Sequence, residues 1–347
     1  MAYLTDMMDA MGLSRGRLAC DSDSDGYGSM WGIRGPSLSA ALPGASVVTM
    51  RRDLKAIRMI KSPAEIAAVR ESARFGNLAH RVLQYYVRPG LTEIEVGQRA
   101  SLDCTLILLK AFGAGFAQHQ WGVSPVLAGF KAGAGTAFPH PLPDANPIKV
   151  GDLLVTWAEV WIDGYHAELE RTMLLGEPTA EQMRYFELAC AMQEVGIAAL
   201  RPGRRCCDMD RDVLQWAEAH GVSDLLRHNT GHAFGLEIHE PPYLDSGDET
   251  EIKPGMLFSI EPGLYVPGLG GFRHSDTALV TETGFEILTY YPRDLDSLTI
   301  PARSTLDLSL RAPFATLAPA HTGRCIAGEQ SPPSSLGLLR RKTRASQ

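Results

Sequence analysis

The sequence predicts an α+β fold made of two similar halves, each a pair of helices followed by strands. Three observations carry this. A capped helical pattern ending at Arg88-Pro89-Gly90 is repeated later by one ending at Arg201-Pro202-Gly203. A second helical pattern follows each stop. Strand-like segments then follow each pair, at Leu153–Ile162 and Tyr165–Leu175 and again at Met256–Val266 and Asp276–Leu288. Internal duplication is the economical explanation, and it places a functional site where the two halves face each other.

Taken in order, residues 1–55 are rich in Gly, Ser and Asp, with one strand-like run at Ala45–Met50. They hold too few apolar positions to close a core of their own. Ser62-Pro63-Ala64-Glu65 then opens a helix. Ser62 can cap, Pro63 suits the first helical position, and Glu65 completes a capping box. Ile66, Val69, Ala73, Leu78, Val82 and Leu83 form its apolar stripe. A second helix is expected from Thr92 to Leu109. In the other half, Thr179-Ala180-Glu181-Gln182 opens a helix running to Ala199, and another runs from about Asp208 to His220. Beyond Pro301, Ala, Pro, Ser, Thr and Gly dominate, so residues 302–347 are expected to form a disordered tail.

Composition narrows the class. The 347 residues are 45% hydrophobic, enough for a substantial core. Lys and Arg total 33 against 40 Asp and Glu, a formal charge of −7, and the body has no basic cluster with which to bind nucleic acid. No run approaches the roughly 20 apolar residues of a membrane span. Met1–Leu13 includes Asp6 and Asp9 and lacks the basic start of a secretion signal. Six scattered cysteines suit reduced thiols, and a cytoplasmic location is expected.

The residues capable of chemistry fall in a few places. Asp163-Gly164 separates two alternating runs, a strong hairpin signal. A two-residue loop there pairs Trp161 with His166, Glu159 with Glu168, and Trp157 with Glu170, all on one face. Opposed carboxylates repel, so this face should hold a cation, share a proton or lie in water. The flanking indoles argue against water. His232 and His239 lie in a Gly-punctuated apolar stretch, Thr230–Pro242. Glu261 sits inside an apolar strand, where burial without a partner is costly. Arg273-His274-Ser275-Asp276 puts four polar side chains at a strand entrance, and His140 is held in the rigid Pro139-His140-Pro141 loop.

From Ile60 to about Pro292 these motifs resemble the pita-bread fold family of creatinase, prolidase, aminopeptidase P and methionine aminopeptidase. The resemblance is carried by Ile60-Lys61-Ser62-Pro63-Ala64-Glu65-Ile66, His140 before Gly151-Asp152, Gly164-Tyr165 with Arg171-Thr172, and Gly231-His232. His239-Glu240-Pro241-Pro242, Ser259-Ile260-Glu261-Pro262-Gly263 and Asp276-Thr277 complete it. It implies a curved antiparallel sheet with pseudo-twofold symmetry, a catalytic domain over residues 56–301, and residues 1–55 as a truncated remnant of the creatinase-type N-terminal domain. It also implies a homodimer. The family's metallopeptidases place Asp, Asp, His, Glu and Glu around two divalent ions. Here those positions fall on Trp157, Glu168, His232, Glu261 and Ser275, and two of them carry no carboxylate or imidazole.

That loss, together with Leu169-Glu170-Arg171-Thr172, is similar to creatinase, and ectoine hydrolase is a comparable relative. The resemblance implies metal-free hydrolysis of a C–N bond in a small amidine, guanidine, amide or short peptide, with no cofactor. His140 would be the general acid/base, Glu170 and Glu261 would grip a cationic substrate, His232 would orient it, and His239 would belong to the same catalytic set. Trp157, His166, Glu168, Arg171, Tyr243 and Arg273 would contact the substrate. One alternative is an Xaa-Pro aminopeptidase holding a single Mn or Zn ion through Glu168, His232 and Glu261, with Glu159 nearby. Another is a non-catalytic binding protein, against which the joint presence of His140, His232, His239 and Glu261 argues.

Overall fold

The computed structural model describes residues 2–23, 37–117 and 124–302. The tail expected at 302–347 lies almost wholly outside them. An N-terminal segment comprises α1 (Ala2–Ala10), β1 (Gly16–Cys20), α2 (Leu38–Ala41), β2 (Ala45–Thr49) and α3 (Arg51–Met59). β1 and β2 pair in parallel. Leu42 is the one buried side chain among its described residues, in keeping with its apolar-poor sequence.

The body opens with α4 (Pro63–Tyr86), begun by a complete capping box between Ser62 and Glu65. The box satisfies two otherwise unpaired backbone donors at the helix start. Thr92 and Glu95 cap α5 (Glu93–Phe112) in the same way. Next come β3 (Val126–Ala132), β4 (Leu153–Ile162) and β5 (Tyr165–Leu175). The second helix pair is α6 (Ala180–Ala199), with its own capping box from Thr179 and Gln182, and α7 (Cys206–Ala219). α7 starts at Cys206 rather than near Asp208, and no side chain caps it.

Short strands follow: β6 (Gly231–Ala233), β7 (Glu240–Leu244), β8 (Leu257–Ile260), β9 (Gly263–Val266), β10 (Gly270–Arg273), β11 (Asp276–Val280) and β12 (Phe285–Ile287). A last turn, α8 (Leu295–Leu298), leads into β13 (Thr299–Ile300). The strand expected at 256–266 is broken in two by Glu261-Pro262, because proline supplies no N–H for the ladder. The one expected at 276–288 turns at Thr281–Gly284.

Two sheets dominate, β13-β5-β4-β3 and β12-β11-β8-β6-β7. They meet where Glu170 bridges to Ser275, with Glu168 N donating to Thr277 Oγ1 at 3.3 Å. The result is a curled sheet with α4 and α5 packed over β3, β4 and β5, while α6 and α7 back the second half. Asp163 and Gly164 turn the β4–β5 hairpin with φ of 50° and 83°. Both central residues have positive φ, as a two-residue primed turn requires. The register is the expected one: Trp157 opposite Glu170, Glu159 opposite Glu168, Trp161 opposite His166.

Candidate active site

The concave side of the curled sheet holds an open cavity of about 200 Å³. Glu159, Glu168 and Glu170 from the hairpin, His232 from β6, Glu261 after β8 and Arg273 at the end of β10 line its acidic part. Pro139, Leu142, Val155, Trp157 and Ile238 make an apolar wall, and His140 and His239 stand on the exposed side.

Local chain features aim each group. Gly231 lets β6 approach β8 closely, since a Cβ there would sit 2.0 Å from the Ser259 carbonyl oxygen. His232 Nδ1 meets the Ala233 carbonyl at 3.2 Å, which directs Nε2 toward the acids. Nε2 lies 3.2 Å from Glu261 Oε1 and 3.8 Å from Glu168 Oε2. Glu168 Oε1 accepts from Ser259 Oγ at 3.0 Å and Ser275 Oγ at 3.1 Å, leaving Oε2 to face His232. Glu261 N donates to the Thr230 carbonyl at 2.9 Å, anchoring its strand end.

Burial disfavours a charge on His232, but the hydrogen bond and charge of Glu261, with Glu168 behind it, lift its pKa to about 9. Burial pushes the Glu261 carboxyl up, and His232 and Arg273 more than reverse this, holding it well below the usual range. Desolvation and the neighbouring Glu168 raise Glu159 to about 8. His140 is lowered, first by partial burial and then by Arg273.

The carboxylate oxygens of Glu168 and Glu261 and a ring nitrogen of His232 lie within 4.8 Å of one another. Oxygen and imidazole donors at that spacing fit one divalent ion of the Zn or Mn type, whose ligand bonds are about 2.0–2.2 Å long. Trp157 supplies no ligand, and its half-buried indole lies across Gly129.

The family model described as Metallopeptidase family M24 matches residues 67–282. The chain belongs to this family. Among its relatives, a putative dipeptidase of Bacillus subtilis strain 168, YkvY, is 32% identical over 262 residues, 76% of this chain and 69% of its own length. An Xaa-Pro dipeptidase of Pyrococcus furiosus is 31% identical over 242 residues, 70% of this chain and 66% of its own. The solved prolidase of P. furiosus superposes with a TM-score of 0.68 and 27% identity, covering 82% of this chain and 79% of that one.

These findings overturn the expectation of a cofactor-free site. The matching family is one of metallopeptidases, and three ligand-type side chains converge in the cavity. Absence of carboxylates at positions 157 and 275 had suggested otherwise, but it leaves the donors of Glu168, His232 and Glu261 intact.

Several expected substrate contacts are placed elsewhere. The guanidinium that Glu170 holds is the chain's own: Arg273 Nη2 lies 2.5 Å from Glu170 Oε1, and Arg273 Nη1 donates to the Pro139 carbonyl at 2.8 Å. Arg171 is wholly buried and structural, donating to the Ser275 and Tyr291 carbonyls and pairing with Asp276 at 2.8 Å. His166 is sealed between Trp161 and Phe234, away from the cavity. Tyr243 lies on a separate depression beside His228 and Asp248. Sequence reading missed Ser259, whose hydroxyl inside an otherwise apolar strand was the available signal. It also missed the apolar wall formed by Leu142, Val155 and Ile238.

Proposed function

We propose that the chain hydrolyses the C–N bond of a short peptide of the Xaa-Pro type, with one divalent ion held by Glu168, His232 and Glu261. The observation that carries this reading is the convergence of those three donors at a cavity whose exposed side presents His140 and His239. The named relatives, dipeptidases among them, support the substrate class. When bound, such an ion supplies Lewis-acid polarisation of a carbonyl oxygen.

The chain's own groups do the rest. With its pKa lowered, His140 is neutral at pH 7, so its free ring nitrogen can accept a proton from attacking water and return it to the leaving nitrogen. Glu159 faces the cavity beside the donor cluster and, with its pKa raised to about 8, is largely a neutral carboxyl at pH 7 that offers the substrate a hydrogen bond rather than a charge. Trp157, Leu142 and Ile238 flank the acids with apolar surface suited to a pyrrolidine ring. Arg273, neutralised by Glu170, ties the backbone next to His140 into the buried part of the site.

The test is metal content and turnover together. Purified protein should hydrolyse Xaa-Pro dipeptides, lose that activity to a chelator and regain it with Mn or Zn. Chelator-resistant turnover, or turnover of creatine or cyclic amidines in place of dipeptides, would refute the reading.

A further inference from the structure

The loop between β6 and β7, residues 234–239, brings Ile238 and His239 to the cavity, and the His239 ring lies 4.2 Å, centroid to centroid, from that of His232. What holds this loop comes from the N-terminal side of the body. Glu240, at its base, is buried with 3% of its side chain exposed. Its Oε1 takes an ion pair from Arg58 Nη2 and accepts from the Glu237 backbone N–H at 3.0 Å. Its Oε2 faces Lys61 Nζ at 3.4 Å. Arg58 Nη1 also pairs with Glu237 Oε1 at 2.9 Å. Lys61 is itself pinned, its side chain 1% exposed and its N–H donating to the Gly255 carbonyl at 2.9 Å. Gly235 completes the closure: its N–H donates to the Glu237 carbonyl at 3.1 Å, and its carbonyl accepts from His166 N at 2.8 Å.

We propose that Arg58 and Lys61 are positioning residues: they reach from α3 and the strand-like link after it to clamp the carboxylate of Glu240, and so set the loop that presents Ile238 and His239. A buried carboxylate left without its cations is strongly unfavourable, so the clamp favours the loop conformation in which Glu240 keeps both partners. Half-exposed Arg58 closes the outer side and buried Lys61 the inner. The N-terminal segment thereby shapes the site, although its described residues before Ile60 bury only Leu42.

The catalytic side of this inference rests on the peptidase reading, so the experiment carries a readout independent of it. In the full chain, amide hydrogen exchange at Gly235 and Glu237 is measured in wild type and in Arg58→Met, Lys61→Met and Arg58→Lys. The two methionine variants should speed exchange at those amides at least about tenfold and leave the β4–β5 amides unchanged, and Arg58→Lys should restore most of the protection. In parallel, KM for the cleaved dipeptide should rise about fivefold or more while kcat stays within about twofold. Unchanged exchange at 235 and 237 in Arg58→Met overturns the proposal, as does equal acceleration across β4–β5. If wild type cleaves no dipeptide, the peptidase reading fails and the exchange data still decide the clamp.

Discussion

Neighbouring cross-strand pairs on a single hairpin face meet opposite environments. Trp157–Glu170 and Glu159–Glu168 line an open cavity, whereas Trp161–His166, the next pair on that face, is closed in by Phe234. Indole, acid and imidazole side chains occur in both regions. In the first, acids converge with His232 and lift its pKa to about 9. In the second, burial first, and then the nearby His232 and His239, drive His166 down to about 3, and neither ring nitrogen has a hydrogen-bond partner among the described residues. Residue type therefore does not make a site. Charged neighbours with access to solvent do, and the sealed pair acts as core.

The sharpest way to break this contrast is His232→Ala. Removing one of three donors should abolish stoichiometric metal binding and lower kcat/KM about a thousandfold or more, the scale of several kcal/mol of lost charge stabilisation. Metal analysis and steady-state kinetics check it. Next, His140→Ala should retain the metal but lower kcat by about 10²–10⁴-fold. Because its pKa is lowered, the acid limb of the wild-type rate should lie at lower pH than a free imidazole would give, and that limb should vanish in the variant. A pH–rate profile with the wild-type acid limb retained in the variant would remove His140 from the mechanism.

The sealed region predicts a stability effect instead. His166, His80 and His274 are all buried and held neutral, their folded pKa values below the unfolded value near 6.5. The unfolded chain therefore binds more protons as pH falls below 6.5, and stability drops with it. Each histidine should cost about 1 kcal/mol between pH 7 and pH 5.5, roughly 3 kcal/mol for the three. Urea unfolding at the two pH values measures this, and His166→Phe should reduce the loss by about 1 kcal/mol. The cavity wall predicts a packing effect without loss of the metal. A methyl at Gly129 would meet Trp157 Cζ2 at 2.7 Å, so Gly129→Ala should displace the indole and destabilise by about 1–3 kcal/mol, with metal binding retained. Thermal unfolding and metal titration separate the two.

Much of the scaffold was legible before any coordinates. The capping box at Ser62, the helix starts at Thr92 and Thr179 and the Asp163-Gly164 turn are local devices, and each occurs where its chemistry requires. The hairpin register followed from the turn alone, because side chains alternate strictly along a strand. β3 was not legible, since Val126–Ala132 mixes Gly, Lys and Ala and shows no clean period. For the site, the acids and histidines could be selected as candidates, but their partners could not. That Glu170 belongs to Arg273, 103 residues away, and Glu240 to Arg58 and Lys61, depends on contacts no spacing rule encodes.

By itself, the sequence determined the two-half α+β plan, the helix ends, the hairpin and the set of ionisable groups able to react. These depend on interactions among residues a few positions apart. Only the tertiary structure decided which carboxylates stay open to a ligand and which are neutralised from within. Charge, burial and donor geometry at such a site are set by the surfaces that fold over it.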